Sequence, residues 1–285
     1  MLVAGLDIGS RTIALVEWDG GRVRRAEVVD TGADPLSNAL TLIQGRAYDR
    51  LVATGYGRYL AAERALADEV ITEIKAYAIG AHHLYPDVRT VLDVGGQDSK
   101  VILVDPNGRV VRFEMNDRCA AGTGRFLENM ARALGLRVDQ FGEHALAAEG
   151  ESVQISSVCT VFAESEVVSL IGRGEDSRCV ALGIHRAIAR RLGAMVRRVG
   201  VRERFVFAGG VAHNPCLRRL LIEELGVSLT VPPSPQTVGA LGAALYAAKQ
   251  IERGNGRWKH GDHSGRTGFT LSSTGHPDPR RVAGR

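Results

Sequence analysis

The sequence predicts an α/β protein with two lobes of mixed sheet, each flanked by helices, and a cleft between them. Short apolar strands alternate with longer helical stretches over most of the 285 residues, a pattern typical of layered α/β folds. Two strands end in related turns, Asp7-Ile8-Gly9-Ser10 and Asp93-Val94-Gly95-Gly96, and each turn leads into another strand. Two copies of one unit predict two lobes whose glycine turns meet. The length also suggests about two domains, at roughly 150 residues each.

The first half of the chain contains a hairpin signal and a long helical stretch. Asp19-Gly20-Gly21 separates two apolar runs and predicts a tight turn between strands. In order, the expected elements are strands at 1–9, 12–18 and 23–29, a helix at 36–44, a strand at 50–54 and a helical region at 61–85 with a break near 67–69.

The second half begins with three strands and continues mainly as helices. Phe126, Met130 and Leu134 recur at helical spacing and predict one apolar face. A third glycine turn, Gly209-Gly210, follows a short strand. The expected elements are strands at 90–94, 99–104 and 110–114, helices at 124–134, 163–171 and 180–199, a strand at 205–208, a helix at 215–225, a strand at 227–231 and a helix at 238–249.

The basic character of the chain comes from its C-terminal segment. The net charge is +4, but residues 253–285 carry seven Lys and Arg against two Asp and Glu. This segment is rich in Gly, Ser, His, Arg and Pro, and it is expected to be a disordered or loosely attached tail. The body is nearly neutral, so the charge gives no reason to expect nucleic acid as a partner.

Location and redox setting follow from what the chain lacks. No stretch approaches the roughly 18 apolar residues that a membrane helix needs, and the start has no basic segment of a signal peptide. We therefore expect a cytoplasmic protein with no membrane partner. Four cysteines in this setting do not indicate a disulfide scaffold.

The two Asp-Gly turns have the composition of a phosphate site. Glycine lets backbone N–H groups approach phosphate oxygens, and neighbouring side chains add donors and carboxylates. Neither a P-loop nor a strand-to-helix dinucleotide fingerprint is present, so ATP would need a different architecture. The candidate residues are Gly9, Gly95 and Gly96 for the backbone contacts, Ser10 and Thr12 as hydroxyl donors, Arg11 for a phosphate or an acid, Asp7 and Asp93 for Mg²⁺ through water, and Gln97 or Asp98 to orient an attacking water.

Two cysteines stand ahead of predicted helices. Cys119 and Cys159 lack the spacing of a zinc ribbon or a ferredoxin. A helix N-terminus favours a thiolate, and two such sulfurs suit an iron–sulfur cluster, which needs four ligands. A twofold dimer would supply them. Buried core cysteines remain the alternative, and this is the favoured interpretation of Cys179 and Cys216.

Several motifs resemble one family over residues 1–250. The turns at Asp7, Asp93 and Gly209 resemble the phosphate and adenosine motifs of the actin-like superfamily. Within it, the chain looks like the activator ATPases of 2-hydroxyacyl-CoA dehydratases, which are grouped with benzoyl-CoA reductase subunits in the BadF/BadG/BcrA/BcrD ATPase family. The segments that carry this resemblance are TGYGR at 54–58, DVGGQDSK at 93–100, MNDRCAAGTGRF at 115–126 and CTVFAESE at 159–166.

The resemblance implies an actin-like ATPase that drives electron transfer. One 4Fe-4S cluster would bridge a homodimer through Cys119 and Cys159, and ATP or ADP with Mg²⁺ would occupy the cleft. It implies that Glu73 points towards the γ-phosphate and that Gly209, Gly210, Val211 and Asn214 contact the nucleotide. A ferredoxin or flavodoxin would load the cluster, and the electron would pass to a 2-hydroxyacyl-CoA dehydratase or related acyl-CoA reductase.

Three alternative functions stay open. The chain could be a subunit of a benzoyl-CoA reductase complex, a small-molecule kinase of the superfamily without a cluster, or a non-redox binding ATPase.

We expect a first lobe at 1–90 completed by part of the helix at 238–250, a second lobe at 91–250 that carries the cysteines, and the tail at 253–285.

Overall fold

The computed structural model describes residues 1–156 and 159–254, so the predicted tail lies almost wholly outside the described residues. Ten strands form two sheets within these ranges. The strands are β1 (Leu2–Ile8), β2 (Thr12–Asp19), β3 (Arg22–Asp30), β4 (Arg50–Thr54), β5 (Glu69–Val70), β6 (Thr90–Val94), β7 (Ser99–Val104), β8 (Val110–Asn116), β9 (Phe205–Ala208) and β10 (Leu229–Thr230).

Nine α-helices accompany these strands in the described ranges. They are α1 (Pro35–Ile43), α2 (Arg58–Glu63), α3 (Glu73–Leu84), α4 (Gly124–Ala133), α5 (Val138–Leu146), α6 (Thr160–Gly172), α7 (Ser177–Val199), α8 (Pro215–Leu225) and α9 (Val238–Glu252). Most sequence-based elements are confirmed to within a few residues. The helical region expected at 61–85 is instead two helices with the short strand β5 between them, and α5 was not predicted.

The two sheets have the same topology. Their orders are β3-β2-β1-β4-β5 and β8-β7-β6-β9-β10. In each, the central strand pairs antiparallel with the next strand in sequence and parallel with a later one. The related Asp-Gly turns follow the two central strands, β1 and β6. The predicted two-lobed α/β fold is therefore confirmed, with one strand pattern used twice.

Two helices pack against each other between the sheets. Helix α9 lies on β1, β2 and β4, whereas α3 lies against β6, β7 and β8. Their contact is backbone to backbone at glycines, because a Cβ on Gly80 would overlap the carbonyl of Val238, and one on Gly242 would overlap the carbonyl of Ala76. Glycine at 80 and 242 therefore allows the two helices to pack closely.

The outer faces of the sheets are covered by the remaining helices. Helices α1 and α2 pack on the first sheet around Leu6, Leu15 and Leu51. The second sheet carries a larger layer of five helices, α4 to α8, around Leu92, Phe126 and Phe207. The lobes therefore differ in their insertions and not in their central strands. The exact domain boundaries remain a prediction.

No helix in the described ranges is long and apolar enough to cross a membrane.

We predict that Gly242→Ala will destabilise the fold by about 1–3 kcal/mol, because its methyl group overlaps a backbone carbonyl that cannot rotate away. Gly172→Ala, in α6, is the matched control. Nothing lies within 4 Å of its added Cβ, and Gly172 ends the helix, so we expect no loss and a gain of at most roughly 0.5 kcal/mol. Urea unfolding of both variants measures the difference. Equal stabilities would contradict the packing argument.

Candidate nucleotide cleft

A cleft of about 430 Å³ lies between the two lobes. It brings together every residue that the sequence analysis proposed for the nucleotide and Mg²⁺. These are Asp7, Gly9, Ser10, Arg11, Thr12, Glu73, Asp93, Gly95, Gly96, Gln97, Asp98, Gly209, Gly210, Val211 and Asn214. Their roles stay predictions, but their convergence from distant parts of the chain is a property of the fold.

The two Asp-Gly turns, at 7–12 and 93–98, are named the first and the second phosphate turn after their predicted role. Each contains an equivalent internal hydrogen bond, and the two turns touch each other. The amide of Gly9 donates to the carbonyl of Thr12, and the amide of Gly95 donates to that of Asp98, both at 3.0 Å. A Cβ on Gly96 would lie 2.7 Å from Cβ of Arg11 and 3.1 Å from Oγ of Ser10. Glycine is therefore needed at 96 for the turns to face each other this closely.

A second pair of equivalent glycines flanks the two aspartates. Gly55 follows β4 with φ +88°, and Gly209 follows β9 with φ +83°. A Cβ on either would collide with the aspartate of its own lobe, Asp7 or Asp93 respectively. The left-handed backbone and the lack of space both require glycine. The sequence analysis proposed Gly209 as a nucleotide contact. That Gly55 occupies the equivalent position in the first lobe is visible only from the pairing of the strands.

One buried lysine joins three carboxylates at the bottom of the cleft. Nζ of Lys100 lies 2.5 Å from Glu73, 2.8 Å from Asp98 and 3.2 Å from Asp93. The lysine is only 2% exposed. It comes from β7, directly opposite Asp93 in the ladder. Its three N–H donors thereby connect the start of α3, the strand β6 and the second phosphate turn. The sequence analysis did not single out this residue.

The charges of this cluster shift several pKa values. Burial alone would lower the pKa of Lys100, but the carboxylates of Asp93, Glu73 and Asp98 raise it above its ordinary value. Burial raises the pKa of Asp93 to about 6, against the opposing effect of Lys100. Burial, together with the charges of Glu73 and Asp93, holds the pKa of Asp7 well above its usual range. The cleft thus concentrates negative charge beyond what one ammonium neutralises.

The aspartates fit a Mg²⁺ ion held through water. Oδ1 of Asp93 is buried and has no hydrogen-bond partner among the described residues, so it can accept from a bound water. Asp7 lies between Gly55 and Gly239. Carboxylate oxygens of Glu73, Asp93 and Asp98 also lie within 4.8 Å of one another, but Lys100 already lies among them. These carboxylates therefore favour a Mg²⁺ position on the side of the cleft that faces Asp7, away from Lys100.

The second phosphate turn is bonded to the segment that contains Cys119. The amide of Gly124 donates to the carbonyl of Gly95, and that of Arg125 to Gly96, both at 2.8 Å. These are the first two residues of α4. The side chain of Asn116, at the end of β8, donates to the carbonyl of Cys119 at 2.9 Å. The loop of Cys119 is therefore attached on one side to the phosphate turn and on the other to the sheet.

The cysteines divide into accessible and buried pairs. Cys119 is half-buried and Cys159 is exposed, whereas Cys179 and Cys216 are buried. Burial raises the pKa of Cys216 to about 12. Cys159 is the N-cap residue of α6, and α6 packs against α4. Accessible soft thiols near helix starts fit an iron–sulfur ligand set, although two sulfurs do not complete it.

Asn214, at the third glycine turn, is held by a buried histidine. Its Oδ1 accepts from the amide of Leu217 and caps α8, and its Nδ2 donates to Nε2 of His185 at 3.0 Å. Nδ1 of His185 donates to the carbonyl of Ala181. Burial lowers the pKa of His185 to about 4, so the ring is neutral and can accept. No local pattern in the sequence identified this histidine.

Arg11 links the lobes across the mouth of the cleft. Its Nε lies 2.7 Å from Glu128 on α4, and its Nη1 lies 2.9 Å from Asp30 in its own lobe. Arg11 thus has the acidic neighbours that the sequence analysis foresaw, and its contact with a phosphate stays a prediction. Helix α4 thus contacts both phosphate turns, one through its first amides and the other through Glu128.

Comparisons with known proteins agree with this arrangement. The model of the BadF/BadG/BcrA/BcrD ATPase family matches residues 5–247. The chain is 40% identical to the 2-hydroxyisocaproyl-CoA dehydratase activator of Clostridioides difficile, over 87% of this chain and 95% of the relative. It is 41% identical to the (R)-2-hydroxyglutaryl-CoA dehydratase activating ATPase of Acidaminococcus fermentans, over 87% and 98%. A benzoyl-CoA reductase subunit of Thauera aromatica is 32% identical, over 88% and 95%.

A solved structure matches the whole two-lobed body. It is that of an activator of the 2-hydroxyisocaproyl-CoA dehydratase from Clostridium difficile with bound ADPNP, at a TM-score of 0.82 and 39% identity. The match covers 90% of this chain and 97% of that one. A glucokinase of the ROK family from Streptomyces griseus shares the fold at a TM-score of 0.52 and 16% identity, a likeness that shows the fold alone.

We predict that Lys100→Met will lose about 3–5 kcal/mol of stability, because it leaves buried carboxylates without a counter-charge. Without Lys100, the pKa of Asp93 in the folded variant would be even higher. Protonation of Asp93 therefore stabilises the folded variant at low pH. This stabilisation is lost as pH rises through that pKa. The loss should therefore be smaller at pH 5 than at pH 8, as measured by urea unfolding. Lys75→Met, which removes an exposed ammonium stacked on Tyr246, should cost less than about 1 kcal/mol. Equal losses for the two variants would contradict the cluster's importance.

We also predict that His185→Leu will raise KM for ATP about fivefold, because Asn214 loses the acceptor that orients it. The value of kcat should change little. Steady-state ATP hydrolysis measures both constants, with His82→Leu on α3 as a control that leaves them unchanged. An unaltered KM in a folded His185 variant would show that this hydrogen bond does not position Asn214 for the nucleotide.

Proposed function

The chain belongs to the BadF/BadG/BcrA/BcrD ATPase family, and from this premise we propose that it is an ATP-dependent electron-transfer activator. It would pass a low-potential electron to a 2-hydroxyacyl-CoA dehydratase or a related acyl-CoA reductase. The activating ATPases among its relatives support this class of partner. A reduced ferredoxin or flavodoxin would be the electron donor.

The observation that carries the proposal is the bonding between the phosphate turn and α4. The carbonyls of Gly95 and Gly96 accept from the first two amides of α4, and Cys119 lies in the loop immediately before that helix. A ligand shifts a conformational equilibrium only if it binds the two states with different affinity. A nucleotide that repositions the Gly95–Gly96 turn would move the start of α4 with it, and so reach the cysteine.

In this proposal Cys119 and Cys159 hold a 4Fe-4S cluster shared by two copies of the chain. Each copy contributes two thiolates, which completes the four ligands that the cluster needs and requires a homodimer. When bound, the cluster supplies reversible one-electron chemistry. The chain's own contribution is to offer two accessible sulfurs near the starts of α4 and α6, where backbone N–H groups favour negative charge.

The cleft residues have matching roles in the proposal. Asp7 and Asp93 hold Mg²⁺ through water, and Glu73 with Gln97 orients the water that attacks the γ-phosphate. Lys100 keeps Glu73 in place through the shortest of its three ion pairs. The phosphates lie against Gly9, Ser10, Thr12, Gly95, Gly96 and Asp98, and the adenosine lies against Gly209, Gly210, Val211 and Asn214.

A second candidate role is that of the ATPase subunit in a benzoyl-CoA reductase-type complex. The 32% identity to a subunit of that enzyme in Thauera aromatica favours it. The two roles share a cluster and an ATPase cycle but differ in assembly. A stand-alone activator purifies as a homodimer, whereas a component of a larger complex purifies with other chains from its native host. Anaerobic purification with mass measurement distinguishes them.

The experiment that tests the proposed function is an anaerobic measurement of iron, acid-labile sulfide and native mass on one sample. One 4Fe-4S cluster per homodimer corresponds to about two irons per chain. Reduced protein should then transfer an electron to a purified dehydratase only when ATP is hydrolysed. An iron-free protein after anaerobic reconstitution, with ATP still hydrolysed, would refute the electron-transfer role.

We predict that Cys119→Ala will lose at least about nine-tenths of the bound iron while ADPNP affinity stays within about twofold, because the thiolate is a cluster ligand outside the nucleotide cleft. Cys179→Ala, which changes a buried cysteine, is the control and should keep its iron. Iron analysis and calorimetry provide the two readouts. Iron retained in folded Cys119→Ala, or lost equally in the control, would count against Cys119 as a ligand.

A further inference from the structure

A second pocket, of about 550 Å³, lies behind the second phosphate turn. It opens between α7 and the edge strand β8, on the face of the second sheet that is opposite α3. Ser99 lines it, as do Asn116 and three arginines of α7. None of its lining residues belongs to the nucleotide cleft, and nothing in the proposed function uses it.

The α7 wall of the pocket is strongly basic. Arg191 and Arg198 are seven residues apart and so share one stripe of the helix, and the adjacent Arg190 also lines the pocket. Arg198 forms an ion pair with Glu114 of β8. In the described part of the chain, neither Arg190 nor Arg191 has an ion-pair partner. Three guanidinium groups and one carboxylate leave the pocket with two uncompensated positive charges.

The opposite wall contains a buried hydroxyl with no partner. Ser99 is 0% exposed, and within the described ranges its Oγ has no hydrogen-bond partner. Ser99 precedes Val101 and Leu103 on the same face of β7, which otherwise packs into the core. A buried hydroxyl without a partner is unfavourable to folding, so a polar group at this position is explained if something in the pocket accepts from it.

We propose that this pocket binds a phosphate group, a site distinct from the nucleotide cleft. Two free guanidinium forks and one hydroxyl present only N–H and O–H donors, and a phosphate presents only acceptors that match them. The volume is large enough for a phosphorylated small molecule as well as for free phosphate. The proposal goes beyond the ATPase role and does not depend on the cluster.

The location connects the pocket with the cysteine loop. Asn116 lines the pocket and also donates to the carbonyl of Cys119. The stem of Arg191 lies beside Gly122, in the same loop, at 3.5 Å from the position of an added Cβ. A bound phosphate would therefore contact Arg191 and lie beside Asn116, and both residues touch the loop that contains Cys119, which makes the site suited to an effector.

The test is calorimetric titration of inorganic phosphate into the protein with the cleft already saturated with ADPNP. We expect one phosphate per chain. Arg191→Gln should weaken binding at least about tenfold, because it removes one fork. Arg186→Gln changes an exposed arginine of α7 that lies outside the pocket lining, and it should leave binding unchanged. Absence of binding in the wild-type protein, or equal binding by both variants, would overturn the proposal.

Ser99→Ala gives a second test, in which the melting temperature and the phosphate affinity are expected to change in different directions. Removing an unpartnered buried hydroxyl should keep or raise the melting temperature, while phosphate binding weakens several-fold. A lower melting temperature with unchanged phosphate affinity would instead assign Ser99 a purely structural role and overturn its part in the site.

The source of the phosphate is distinguished by a parallel titration with adenosine 3′,5′-bisphosphate, again with ADPNP in the cleft. Binding at least about tenfold tighter than that of inorganic phosphate, and lost in Arg191→Gln, identifies a phosphorylated small molecule as the natural ligand class. Equal or weaker binding identifies free phosphate. Tight binding that survives in Arg191→Gln would place the molecule elsewhere and overturn the assignment to this pocket.

Discussion

The cleft depends on how the chain neutralises the carboxylates that its own symmetry brings together. Two copies of one strand pattern place Asp7 and Asp93 at equivalent positions facing each other, and Glu73 and Asp98 add to them. Lys100 offsets this charge from the ladder position opposite Asp93. The equivalent position in the first lobe, opposite Asp7, is Ala14. A single lysine therefore breaks the symmetry, leaving the Asp7 side free for a cation.

The close approach of the lobes depends on missing side chains. At Gly80 and Gly242 the helices α3 and α9 touch through their backbones, and at Gly5 the strand β1 touches α9 in the same way. Because no side chains separate the backbones at these points, the helices pack more closely than larger residues would allow. Each helix lies on a different sheet, so this contact sets how closely the two lobes approach each other.

Helix α4 is the element at which the nucleotide turns and the cysteines meet. Its first amides are bonded to the second phosphate turn, and Glu128, one turn further on, binds Arg11 from the first turn. The cysteine loop enters this helix directly, and α6, which begins after Cys159, packs against it. A change in the distance between the lobes is therefore transmitted to α4 through two contacts that act at different points. This geometry gives the proposed coupling between ATP and electron transfer a concrete route.

Local sequence by itself determined the order of most elements, the two Asp-Gly turns and the two cysteine motifs, because apolar periodicity and glycine turns are encoded within a few residues. The strand β5 was missed because two residues cannot show a period. Helix α5 was missed because Gly142 and polar neighbours interrupt its short apolar face. The partners of Lys100, His185 and Glu128 come from distant segments, and the equivalence of Gly55 with Gly209 exists only in the strand register. Only the tertiary structure determined these contacts and this equivalence, because they depend on which strands and helices the fold brings together.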